Sequence, residues 1–126
     1  MNYVKLPNGN KYKYMLLEPC FDDVILTGYS IFTEYISLNP NGIMTLAKDY
    51  AWDGPSGPTF DTKSFMRGSL FHDAFYQLMD GNHLNIECRK HADMILRRMC
   101  LEDGMNWFRA WYVYRAVRLF GGYAIG

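Results

Sequence analysis

This chain of 126 residues has no excess of charge of either sign, since its 13 Lys and Arg match its 13 Asp and Glu. A formal net charge of zero removes the long-range field by which basic proteins collect nucleic acid or anionic lipid. Cysteine is scarce: Cys20, Cys88 and Cys100 form an odd set without a CxxC spacing. A disulfide framework is therefore not expected, and reduced thiols in a cytosolic compartment are. The opening MNYVKLPNGN has neither the basic start nor the apolar run of a secretory signal. The one stretch apolar enough to suggest a membrane span, residues 105 to 125, carries Arg109, Arg115 and Arg118. Three guanidinium groups are too costly for a lone spanning helix, so no transmembrane segment is read. Internal repeats and low-complexity tracts are also missing.

Aromatic side chains are abundant, with three Trp, ten Tyr and eight Phe. Such a content favours a dense core, a partner-facing surface, or both. Length and apolar fraction predict one domain over 1–126 with a modest core. Its sequence reads as a strand-rich region 1–52, a loop 53–63 and a helical region 64–122.

Pro7-Asn8-Gly9 marks a first turn, and Asn39-Pro40-Asn41-Gly42 is the strongest turn signal, with Gly42 suited to a positive φ. Residues 11 to 52 are expected to hold three to five antiparallel strands. DVILTGYSIFTEYISL reads as two strands around Gly28, or one bulged strand, and GIMTLAKDYAW as extended. The loop that follows contains two Gly, two Pro and two Asp, and is long for an undecorated connection. Three helices complete the chain. The first, roughly 64 to 80, is capped by Ser64 or Thr62 and ended by Gly81-Asn82. The second runs from about 85 to 101 and is ended by Gly104. The third opens at Asp103 or Asn106 and ends at Gly121-Gly122. The fold class is thus α+β, with short antiparallel strands in the N-terminal third followed by three helices.

On the first helix His72 shares an apolar face with Tyr76 and Met79, and Gly68 one turn earlier leaves room for a backbone or a ligand. Asp73 is turned about a quarter circle away. The second helix should bury Cys88, Ala92, Ile95, Leu96 and Met99 and turn Glu87, Lys90, His91 and Arg98 to water. Asp93 falls at the margin of that arc. It can pair with Arg89 or Arg97 one turn away, or hold the imidazole of His72 in one tautomer. Asp53, Asp73 and the carbonyl of Gly54 supply hard oxygen donors of the kind calcium takes, though Asp53 could equally cap a turn and Asp73 be solvated. Zinc is disfavoured, because His72, His83 and His91 do not converge and no HxxxH or Cys pair exists. The third helix is apolar nearly all round and is expected in the core.

His72-Asp73-Ala74-Phe75-Tyr76 resembles the His-Asp-x-x-Tyr signature of phospholipases A2. That signature lies on the first of two long antiparallel helices, and the second supplies an Asp that orients the His. The separation of twenty-one residues between His72 and Asp93 is similar to that in the compact bacterial and fungal-type enzymes. This likeness implies a calcium-dependent ester or phospholipid hydrolase. His72 would be its base, Asp93 and Tyr76 its supports, and Asp73, Asp53 and Gly54 its calcium ligands. Unlike those enzymes, the chain offers no obvious partners for Cys88 and Cys100.

Over residues 45 to 122 the chain is similar to a phage- and bacterium-encoded family of unknown function with a DGxSxP-like loop, an HDxxY motif, an Ala-Asp helix and a YxAVRxxG-like end. The matching pieces are Asp53-Gly54-Pro55-Ser56-Gly57-Pro58, His72 to Tyr76, Ala92-Asp93 and Tyr114-Arg115-Ala116-Val117-Arg118. This likeness implies a protein of the cytoplasm of a phage-infected host, or a virion component. Its alternative role is that of a non-catalytic structural or host-interaction module with a protein partner.

Overall fold

A computed structural model describes residues 1–54 and 62–124, with side chains as far as residue 122. The chain forms two compact units, Met1–Asp53 and Gly54–Gly126. Short antiparallel strands make up the first and three helices the second, an α+β arrangement.

Seven strands build the first unit: β1 (Tyr3–Lys5), β2 (Tyr14–Leu16), β3 (Cys20–Asp23), β4 (Ile31–Phe32), β5 (Ile36–Leu38), β6 (Ile43–Leu46) and β7 (Ala51–Trp52). They pair antiparallel in two sheets, ordered β1-β2-β7 and β3-β6-β5-β4. Alternation is visible where the strands have a buried face: Ile36 and Leu38 on β5, and Met44 and Leu46 on β6, point inward. Tyr3, Tyr14 and Trp52 pack at centroid distances of 5.5 to 5.8 Å on the smaller sheet.

The Asn39–Gly42 turn joins β5 to β6 as its composition demands. Gly42 has φ +88, and the Asn39 side-chain oxygen accepts from the backbone N–H of Asn41 and Ile43 at 3.0 and 3.1 Å. Elsewhere the strands are short, as expected, but more numerous, with six of them between Tyr14 and Trp52. No strand precedes Gly28 within DVILTGYS beyond Asp23. There the Asp23 carboxylate accepts from Ile25 N–H at 2.9 Å, and Ile25 and Gly28 take positive φ of 53 and 85. Both β4 and β5 therefore follow Gly28. A second break falls in GIMTLAKDYAW, where Asp49 at φ 73 turns the chain between β6 and β7.

In the second unit α1 spans Lys63–Asp80, α2 Arg89–Glu102 and α3 Trp107–Phe120. Helix α1 is buried at most positions from Phe65 to Met79. It packs antiparallel on α2, with Arg67 beside Asp103 and His72 beside Asp93. The approach is close, since a Cβ on Gly68 would lie 2.9 Å from Leu96 Cδ1, 3.0 Å from Cys100 Sγ and 3.2 Å from the Leu96 carbonyl. The room that Gly68 leaves is filled by α2. At the open end of the pair, Arg67 forks onto both Asp103 oxygens at 3.0 and 3.1 Å and onto Glu102 at 2.8 Å.

Helix α2 begins four residues later than expected. Asn85 caps a 3-10 turn, Ile86–Cys88, by accepting from Glu87 N–H at 2.8 Å, and the α-helix starts only after it. Asn106 rather than Asp103 opens α3, accepting from Arg109 N–H at 2.8 Å. Small residues form the inner stripe of α3. Ala110 and Val113 join Phe65, Leu96, Cys100 and Met105 in one cluster. This corrects the expectation of a core helix: Trp107, Phe108, Leu119 and Phe120 are between 63 and 71 % exposed.

Candidate functional site

The strongest polar constellation among the described residues sits between the helices of the second unit. His72 on α1 and Asp93 on α2 face each other, with Nε2 of the imidazole 2.6 Å from Oδ1 of the carboxylate. The Tyr76 hydroxyl, one turn on from His72, donates to the same oxygen at 2.6 Å. Its ring lies 4.3 Å from the imidazole at 38°. Asp93 is not at the margin of the buried arc, as its place in the sequence suggests, but is fully buried.

A buried carboxylate is retained only when its oxygens are satisfied. Oδ1 serves His72 and Tyr76. Oδ2 accepts from Arg118 Nη1 at 2.8 Å and lies 3.7 Å from Arg89 Nη1. Asp93 therefore makes both of the contacts expected of it: it bonds the His72 imidazole at Nε2 and it pairs with Arg89 one turn before it. The other candidate partner, Arg97, instead lies 4.4 Å over the Tyr114 ring. Arg118 is the member of the site that spacing did not reveal. Its signals in the sequence were a guanidinium near the end of a largely apolar helix and its place in the YxAVRxxG-like end.

Electrostatics follow from this geometry. Burial by itself pushes the Asp93 carboxyl upward. Hydrogen bonds from His72 and Tyr76, the His72 charge and the Arg118 bond outweigh it and hold the group below the usual carboxylate range. Tyr76 is displaced the other way. Burial first, then its bond to the Asp93 carboxylate, keeps its phenol protonated far beyond the ordinary range, against the opposing pull of Arg89.

Asp93 accepts, so Nε2 of His72 carries the proton of that bond, and in the neutral ring Nδ1 keeps its lone pair. Among the described residues nothing bonds Nδ1. His72 is about 9 % exposed, at the edge of the core rather than in its centre. Such an arrangement can accept a proton from a bound water and stabilise the imidazolium that results.

Comparison with known proteins finds no relative. No protein-family model, curated protein or solved structure matches the chain.

The remaining expected site residues lie elsewhere. Asp73 is half-buried on α1, next in sequence to His72, while Asp53 is exposed at the end of the first unit and Gly54, at φ 75, begins the second. The loop pieces Pro55 to Pro58 lie outside the described residues. Oxygen donors of this kind suit calcium, but among the described residues no three His, Cys, Asp or Glu side chains gather as a metal site. His91, expected on the wet face, is half-buried edge-on to Phe75 at 6.2 Å. No helix is long and apolar enough to cross a membrane among the described residues.

Proposed function

We propose that the helix pair carries a general-base site for ester hydrolysis, as in a phospholipase A2-like protein. The observation behind this is the polarity of His72: Nε2 is committed to buried Asp93, and Nδ1 has no partner among the described residues. In this reading Nδ1 takes a proton from water while the water oxygen bonds to the acyl carbon. The imidazolium is held by Asp93, whose charge Tyr76 keeps in place. As the acyl–oxygen bond breaks, the imidazolium returns the proton to the departing alkoxide, leaving an alcohol and a carboxylic acid that then ionises by losing its own proton to water.

Phospholipid is the substrate class implied by the HDxxY resemblance. Calcium belongs to the same proposal, with Asp73, Asp53 and the Gly54 carbonyl as its ligands, and when bound it would polarise the acyl carbonyl. No step above depends on it. The test is hydrolysis of a short-chain phospholipid and a simple ester by the purified protein with calcium, beside His72→Ala. Loss of the base should lower the rate on the order of a hundredfold or more. Equal rates in the two proteins would end the proposal.

One observation favours a second reading, that of a phage structural or host-interaction protein on the same scaffold. The aromatic outer side of α3, with Trp107, Phe108 and Trp111 exposed, is a surface of the kind that meets a protein partner. The His72–Asp93 pair would then serve to lock α1, α2 and α3. In that case calcium leaves the melting temperature unchanged. A calcium-induced rise abolished by Asp73→Asn would speak against it.

A further inference from the structure

The end of α3 is built around the His72–Asp93 pair in three separate ways. Arg118 puts Nη1 2.8 Å from Oδ2 of Asp93. Arg89 turns its guanidinium to the last turn of α3 and donates to the carbonyls of Val117 at 3.0 Å and Arg118 at 3.2 Å, covering two of the acceptors a helix terminus leaves open. Gly121 closes the turn over Tyr76, where a Cβ would stand 2.5 Å from the hydroxyl and 3.2 Å from Arg89 Nη1. Without a side chain at 121, that turn and the Tyr76–Asp93 bond can coexist.

We infer that Arg118 is a positioning residue for His72, acting through Asp93. A carboxylate held at one oxygen can rotate about its Cβ–Cγ bond and present either oxygen to the imidazole. Anchoring Oδ2 to Arg118 leaves Oδ1 as the oxygen for Nε2 and Tyr76, and so sets the ring orientation. Arg89 supports this from 3.7 Å at the same oxygen and by fixing the backbone from which Arg118, the closer of the two guanidinium groups, projects. A role for Arg118 in catalysis rests on the hydrolytic reading; its hold on the imidazole does not.

The experiment follows the proton on Nε2 of His72 by NMR in the full chain, with thermal melting measured on each protein. A proton in a 2.6 Å bond to a buried carboxylate should give a downfield, slowly exchanging signal. In Arg118→Met the folded protein should lose this signal to exchange with water. Arg118→Lys, which keeps one charged donor, should restore it. If Arg118→Met does not fold, Arg118→Gln replaces it, with the same loss expected.

A variant that melts lower but keeps the signal unchanged would overturn the inference, because Arg118 would then be only a structural tie. Where hydrolysis is measurable, Arg118→Met should lower kcat and leave KM unaltered. Loss of the signal in a chain with no hydrolytic activity would retire the hydrolytic reading and leave the hold of Arg118 on His72 intact.

Discussion

Nε2 of His72 and Oδ1 of Asp93 lie 2.6 Å apart, joining α1 to α2 across twenty-one residues of chain. The bond is worth more than its length suggests, because the same carboxylate also receives Tyr76 and Arg118. Removing it would leave a guanidinium, a phenol and an imidazole around an empty space. Asp93→Ala should therefore cost about 3–5 kcal/mol, the range for breaking one side of a buried charge network. Urea unfolding, monitored by far-UV circular dichroism, measures it.

The same group sets the acid limit of stability. Asp93 is held below its ordinary value of 3.8, so the native state resists protonation more than the unfolded chain does. Its contribution is complete above 3.8 and is lost as pH falls through the native value. Tyr76 has the opposite sign. Its native phenol stays protonated above the ordinary value of 10.0, so its contribution is full below 10 and is lost as pH rises beyond it. Urea midpoints across pH should show an acid limb flattened by Asp93→Asn and an alkaline limb flattened by Tyr76→Phe.

How the helix pair was legible, and how far, can be read at three residues. His72, Tyr76 and Asp93 follow from helical spacing and a short connection, which bring i, i+4 and a facing carboxylate together. The depth of Asp93 does not, because it depends on Arg118 covering the second oxygen from a helix that no local spacing relates to it. The strands were less legible still. Elements of two to four residues are ended by particular side-chain bonds, such as Asp23 to Ile25 N–H, that periodicity does not register. The large aromatics of α3 suggested a core helix, yet small Ala110 and Val113 make its buried stripe.

Gly68 is a packing requirement of the helix pair. Its replacement by Ala would bring a Cβ within 2.9 Å of Leu96 Cδ1 and 3.2 Å of the Leu96 carbonyl. The leucine methyl can swing aside, but the carbonyl is backbone and must move with α2. Overpacking of this kind costs about 1–3 kcal/mol, against which the better helix propensity of Ala returns up to about 1 kcal/mol. A lower melting temperature for Gly68→Ala is expected, and an unchanged or higher one would show that α2 shifts freely.

Cys100 should be chemically silent in the native protein. Burial, aided by the charge of Asp103 and opposed by Arg109 and Arg67, pushes its thiol up to about 12, and the side chain has no exposed surface. Cys20 and Cys88 are half-buried. A thiol reagent should therefore modify up to two groups in the folded chain and a third only in denaturant.

The general-base account stands on one atom, Nδ1 of His72, which nothing bonds among the described residues. Long-range nitrogen–proton NMR correlation of the neutral imidazole reads the tautomer directly. The account requires the proton on Nε2, shared with Asp93, and an unprotonated Nδ1 ready to take one from water. A neutral ring with its proton on Nδ1 would contradict it.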